Sequence, residues 1–139
     1  MYKKILLAAD GSEHSKRAAE HALMLVNGNL HTKIEIVYVV DYDKVKSEVL
    51  ENWNAADIGD KRRFRLRGIE RIMRKSGVSY EVVFLYGEPG ASIVNYANKN
   101  KFDLVIIGSR GLNILQEFVL GSVSHKVAKR ANCPVLIVK

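Results

Sequence analysis

Five short apolar runs, Lys4 to Ala9, Lys33 to Val40, Ser79 to Leu85, Leu104 to Ile107 and Val135 to Val138, alternate with stretches of helical periodicity. That alternation leaves few folds open. Runs that are apolar throughout, rather than at every second residue, fit strands covered on both faces, the condition of a parallel sheet between two layers of helices. The helical stretches carry their own punctuation. Ala19, Ala22, Leu23 and Val26 line one face of a helix that Ser12 can cap and Gly28 can end. Gly77 stops the second helix, Pro89 and Gly90 open the third, and Val123, Val127 and Ala131 mark a fourth that ends before Pro134. The expected fold is α/β: a five-stranded parallel sheet with helices on both faces. The segment Asp41 to Gly59 shows the longest irregular pattern and is expected to run over the pocket edge.

In such sheets ligands bind beyond the carboxyl ends of the strands, where strand order reverses. The residues that follow the strands here are Asp10, Gly11 and Ser12; Val40 and Asp41; Gly87 and Glu88; and Gly108 to Gly111. The last group is the most telling. GSRG directly follows the apolar LVIIG run, and nine residues after Gly111 comes GSVS, so a buried strand opens into a glycine loop and then a helix start rich in hydroxyls. That order makes a backbone cradle for phosphate. Gly108 and Gly111 allow close approach of the backbone, while Gly121, Ser122, Val123 and Ser124 open a helix whose amides and dipole favour an anion. The hydroxyls of Ser122 and Ser124 can add donors, and Arg110 can place a guanidinium near a polyphosphate. Asp10 suits ribose hydroxyls or a phosphate-bound Mg²⁺, since a bare carboxylate beside a triphosphate needs a cation between them. Val39 and Val40 would supply an apolar wall and backbone groups for a base. Each of these residues alone could serve only turn or cap chemistry. What favours a ligand is that all lie at one edge of the same sheet.

Other nucleotide motifs are excluded by inspection. There is no GxxxxGK[ST], no GxGxxG after the first strand, no HxGH and no SGG-type turn, and Leu85, Tyr86 and Gly87 stand where a phosphorylation receiver would need an aspartate. The 139 residues, 47% of them hydrophobic, suit one domain, taken as residues 1–139. The apolar stretch Ile5 to Ala9 is too short for a signal-peptide core or a bilayer span, so a cytoplasmic protein without a membrane partner is expected. Cys133 reads as a small buried hydrophobe. His14 and His125 fall in the first turns of helices bordering the site and are expected at the surface, and no nucleophile, base and orienting group recur at recognisable spacing.

The net charge of +7 admits a polyanionic partner, but much of it is local. Lys61, Arg62, Arg63, Arg65, Arg67, Arg71, Arg74 and Lys75 fall within fifteen residues, where Leu66, Ile69, Ile72 and Met73 recur at helical spacing. The expectation is the solvated face of one amphipathic helix, without stacking aromatics interleaved among its charges, which disfavours nucleic acid.

Gly108, two residues, Gly111, nine residues, Gly121 and Ser122 match the G-2x-G-9x-G-[S/T] signature of the ATP-binding branch of the universal stress protein family, which this chain resembles along nearly its whole length. KKILLAADGSEHS is similar to that family's first strand and turn, FDLVIIGSRG to its fourth strand, and CPVLIV to its last. The resemblance implies a flavodoxin-like, or adenine nucleotide α-hydrolase-like, sheet of order 3-2-1-4-5. It also implies ATP as ligand, adenine against Val40, and a homodimer built largely on the last strand. The expected function is an ATP-binding regulatory or stress-response protein. Alternatives are a slow ATPase or autophosphorylating enzyme in which Asp10 holds Mg²⁺, and a nucleic-acid-binding module using the basic helix.

Overall fold

The computed structural model describes residues 2–29, 31–41, 55–110 and 120–139, the side chains of 55–62 excepted. Among these residues the elements follow as β1 (Lys4–Ala8), α1 (Glu13–Val26), β2 (Lys33–Val40), α2 (Ala55–Ser76), β3 (Ser79–Tyr86), α3 (Pro89–Lys99), β4 (Leu104–Gly108), α4 (Ser122–Arg130) and β5 (Val135–Val138). The five strands form one parallel sheet in the order β3-β2-β1-β4-β5. β1 lies at its centre, with Ile5 opposite both Ile34 and Leu104. The chain winds outward from β1 to β3 and then returns to place β4 on the other side, so strand order reverses between β1 and β4.

Side chains alternate across the sheet, and both faces are covered. Ile5, Leu7, Ile34, Ile36 and Ile106 pack with Ala18 and Ala22 of α1 and Leu66, Ile69 and Met73 of α2. Leu6, Val37, Val105 and Ile107 pack with Ile93 and Ala97 of α3 and Val127 of α4. This is why the strands read as unbroken apolar runs. The edge strands β3 and β5 are only half-buried over most of their length. No helix among the described residues is long and apolar enough to cross a membrane.

The helix ends follow the punctuation, with three differences. α2 already begins at Ala55, inside the stretch Asp41 to Gly59 expected to be irregular, whose residues 42–54 lie outside the described ones. α1 stops at Asn27, which takes the left-handed conformation (φ 31°) and donates its N–H to the Leu23 carbonyl, while Gly28 (φ 78°) continues the turn. α3 is capped by Glu88, whose carboxylate accepts from the amides of Gly90 (3.1 Å) and Ala91 (2.8 Å) and receives Lys126 Nζ of α4 at 3.2 Å. The Ala91 amide, then Lys126 and the Gly90 amide, hold its carboxyl below the usual range against a smaller opposing effect of burial. A carboxyl whose folded value is depressed contributes stability above its unfolded value, and loses it as pH falls through the folded one. As the N-cap of α3, Glu88 is expected to contribute on the order of 0.5 to 1 kcal/mol at neutral pH, the exposure of its carboxylate keeping the value low, and Glu88→Ala should lose it. Urea titrations should show the gap from the parent closing in acid.

One buried charge interrupts the pattern. Glu35 of β2 is 7% exposed, accepts the Tyr96 hydroxyl at 3.0 Å, and lies in register with Glu81, which pairs with Lys33. Burial, followed by the Glu35 carboxylate, pushes the Tyr96 hydroxyl up to about 12. Cys133 is half-buried against the α3 and α4 layer, and burial raises its thiol above the ordinary range.

Candidate functional site at the carboxyl edge of the sheet

The turn after β1 is built from its own side chains. Asp10 Oδ1 accepts the Ser12 amide at 2.9 Å, and Ser12 Oγ accepts the Ser15 amide at 3.2 Å, so α1 begins with a side-chain cap. Between them Gly11 adopts φ +85°, and a Cβ there would lie 2.8 Å from both Arg65 Cβ and the Arg65 carbonyl oxygen. Its lack of a side chain is thus demanded by the backbone of α2 passing over the turn. Ligand approach is not needed to explain it.

The end of β4 is held from three sides. A Cβ on Gly108 would lie 2.7 Å from His14 Cβ and 3.0 Å from the His14 carbonyl carbon, so the first turn of α1 rests on this glycine. His14 is only 5% exposed, with Nδ1 3.2 Å from Ser109 Oγ, which corrects the expectation of a surface imidazole. The reason is helical phase: His14 lies one turn before Ala18, which is fully buried, and shares its inward face. His125 is exposed as expected. Ser109 also donates its amide to the Val138 carbonyl at 2.7 Å, and its carbonyl accepts from the Gly121 amide (2.8 Å) and Ser124 Oγ (2.9 Å). The start of α4 is thereby fastened to the loop after β4, with Gly121 so close that a Cβ would lie 3.1 Å from the Ser109 oxygen.

This docking determines what α4 can offer. Ser124 is buried and its hydroxyl faces the carbonyls of Ser109 and Gly121, so the geometry leaves it a structural role. Ser122 is exposed and Val123 half-buried. Gly121 gives α4 no side-chain cap, unlike Ser12 at α1 and Glu88 at α3. The opening amides of α4 therefore form an anion-favouring terminus at the sheet edge. Val40 is buried in the α1 and α2 layer and its carbonyl accepts the Gly87 amide at 3.0 Å, which leaves Val39 the more accessible of the pair.

Ala8 pairs with Ile107, so the ends of β1 and β4, and the segments that leave them at Asp10 and Ser109, lie at one edge of the sheet. Asp10, Gly108 to Arg110 and Gly121 to Ser124 thus gather at the reversal point between β1 and β4. Arg110 is half-buried there, whereas Gly111 lies outside the described residues. Three residues that the sequence places at this edge without a role turn out to fasten it: Ser109, His14 and Glu88. Ser109 was legible only as the residue between two glycine-loop positions, and His14 only through its phase with Ala18. Among the described residues no cluster of three His, Cys, Asp or Glu side chains could hold a metal ion. The carboxylate of Asp10, at the end of β1, could hold a cation that arrives already bound to phosphates and keeps most of its water.

Residues 1–139 match the model of the universal stress protein family. Universal stress protein MJ0531 of Methanocaldococcus jannaschii is 33% identical over 142 residues, spanning all of this chain and 83% of that protein. Universal stress protein YxiE of Bacillus subtilis is 34% identical over 160 residues and spans all of both. Among solved structures, MJ0577 from M. jannaschii superposes with a TM-score of 0.87 at 31% identity, over 100% of this chain and 96% of that one. A universal stress protein solved in complex with cAMP gives 0.70 at 26% identity, over 99% of this chain and 97% of that one.

Proposed function

This chain belongs to the universal stress protein family, and on that premise we propose that it binds an adenine nucleotide, ATP with Mg²⁺, and acts as a nucleotide-dependent regulatory protein. The observation that carries the reading is the α4 terminus: a helix start without a side-chain cap, fastened to the glycine loop at the strand-reversal point. The cAMP complex of a relative supports the choice of an adenine nucleotide.

In this reading the amides of Ser122, Val123 and Ser124 and the Ser122 hydroxyl take phosphate oxygens, Gly108 seats His14 beneath the loop, and Gly111, outside the described residues, is the glycine assigned to close approach of the ligand. Arg110 adds a guanidinium, Asp10, with Gly11 and Ser12 shaping its turn, faces the ribose or the cation, and Val39 and Val40 border the base. Mg²⁺, when bound with the nucleotide, neutralises phosphate charge beside Asp10. Bound nucleotide would change what a dimer presents to a partner protein. The outer edge of β5 has no strand beside it among the described residues and suits that dimer.

Mass spectrometry of small molecules released from the denatured protein should find an adenine nucleotide. Nucleotide-free protein whose melting temperature ignores millimolar Mg·ATP would sink the reading. Multiple-turnover phosphate release abolished by Asp10→Ala would move the assignment to a slow ATPase.

A further inference from the structure

We propose that the outward face of α2 is a docking surface for single-stranded nucleic acid. Leu66, Ile69 and Met73 turn one side of this helix fully into the core, and Arg65 anchors it further by donating from Nη1 to the Tyr38 hydroxyl at 3.0 Å. The opposite side carries Arg63, Phe64, Arg67, Arg71, Arg74 and Lys75, all exposed. Glu70 is the one carboxylate between residues 63 and 75, and no ion pair among the described residues engages the exposed cations.

A face that served solubility alone would not need Phe64, which is 69% exposed. The Arg67 guanidinium lies 5.8 Å from the centre of its ring, so an exposed aromatic plane sits within a row of cations. This overturns the expectation that the basic face lacks an aromatic. Phe64 stands inside the charged run RRFRLR, where only the helical phase decides whether it turns inward. Arg63, Arg67 and Arg71 are spaced about 6 Å along the helix axis, a row that can track a phosphate backbone. Four of the five exposed cations are arginines, whose planar fork suits phosphate better than lysine does. A ring at this position can stack on a base of a single strand, whereas a duplex hides its base faces. A lipid surface is the poorer match, because the apolar side of α2 is buried and only Phe64 could enter a bilayer.

Anisotropy of a labelled single-stranded oligo(dT) tests this, with a duplex of the same length and phosphatidylserine vesicles as competitors. With about 0.7 counterions released per phosphate and three to five phosphates engaged, affinity should fall on the order of 15- to 100-fold between 50 and 200 mM salt. The triple variant Arg63→Glu, Arg67→Glu, Arg71→Glu should lose binding by about 100-fold or more, and the milder triple Gln variant should lose it in the same direction. Phe64→Ala should weaken binding about tenfold without changing the salt slope, because stacking releases no counterions. Unchanged binding by folded Gln variants, salt-independent binding, or preference for the duplex or the vesicles would each overturn the proposal. None of these residues belongs to the nucleotide site, so that reading stands or falls separately.

Discussion

Gly11→Ala is expected to destabilise the protein by about 2 to 5 kcal/mol, with two separable causes. The first is conformational: at φ +85° an L side chain costs about 1 to 2 kcal/mol. The second is steric, because the new methyl would sit 2.8 Å from the Arg65 carbonyl oxygen and Cβ, and neither can swing away without moving α2. Overpacking of that kind costs about 1 to 3 kcal/mol. Gly77→Ala supplies the control, since Gly77 has φ +74° and nothing within 4 Å of its would-be Cβ. It should show the conformational cost alone. In a chain of this length the Gly11 variant should melt roughly 10 °C lower and the Gly77 variant only a few degrees lower. Equal losses in urea titrations would mean that α2 yields freely over the turn, and would return Gly11 to a purely local role.

Gly11 also shows where sequence reading reaches its limit. The strands were legible because burial on both faces removes alternation, and all five coincide with the apolar runs to within a residue. Their order needed the family resemblance, since no local signal says which side of β1 receives β4. At the site, the positions were visible but the reasons for them were not. Gly108 read as room for a ligand and Gly11 as part of the turn beside it, yet the atoms nearest their missing side chains belong to His14 and Arg65, residues far away in sequence. Likewise Ser124 read as a phosphate donor until its hydroxyl was seen facing the Ser109 carbonyl. Glu35 was hidden in a strand otherwise apolar, because its acceptor role depends on Tyr96, 61 positions away. What is local in the chain, such as runs, caps and turns, could be read; what depends on which helix crosses which strand end could not.

Ser122→Pro tests the cradle more directly than any deletion of a side chain. Proline is well tolerated at the first position of a helix, where the N–H has no intrahelical acceptor, and it presets the required φ. The preceding residue must then be extended, and Gly121 already has φ −59° and ψ 151°. The helix should therefore survive while one amide donor and one hydroxyl vanish. A hydrogen bond to a charged group contributes about 1.5 to 3 kcal/mol, so ATP affinity should fall roughly 10- to 100-fold. At ATP one hundred times the parent's Kd, the parent gains about 2.7 kcal/mol of stability, and the variant should gain only about 0.4 to 1.4 kcal/mol. Ser122→Ala keeps the amide and should retain most of the gain. If Ser122→Ala loses as much as Ser122→Pro, the hydroxyl rather than the helix terminus holds the phosphate. If neither loses anything, the anion sits elsewhere, and the link from the uncapped start of α4 to nucleotide binding fails.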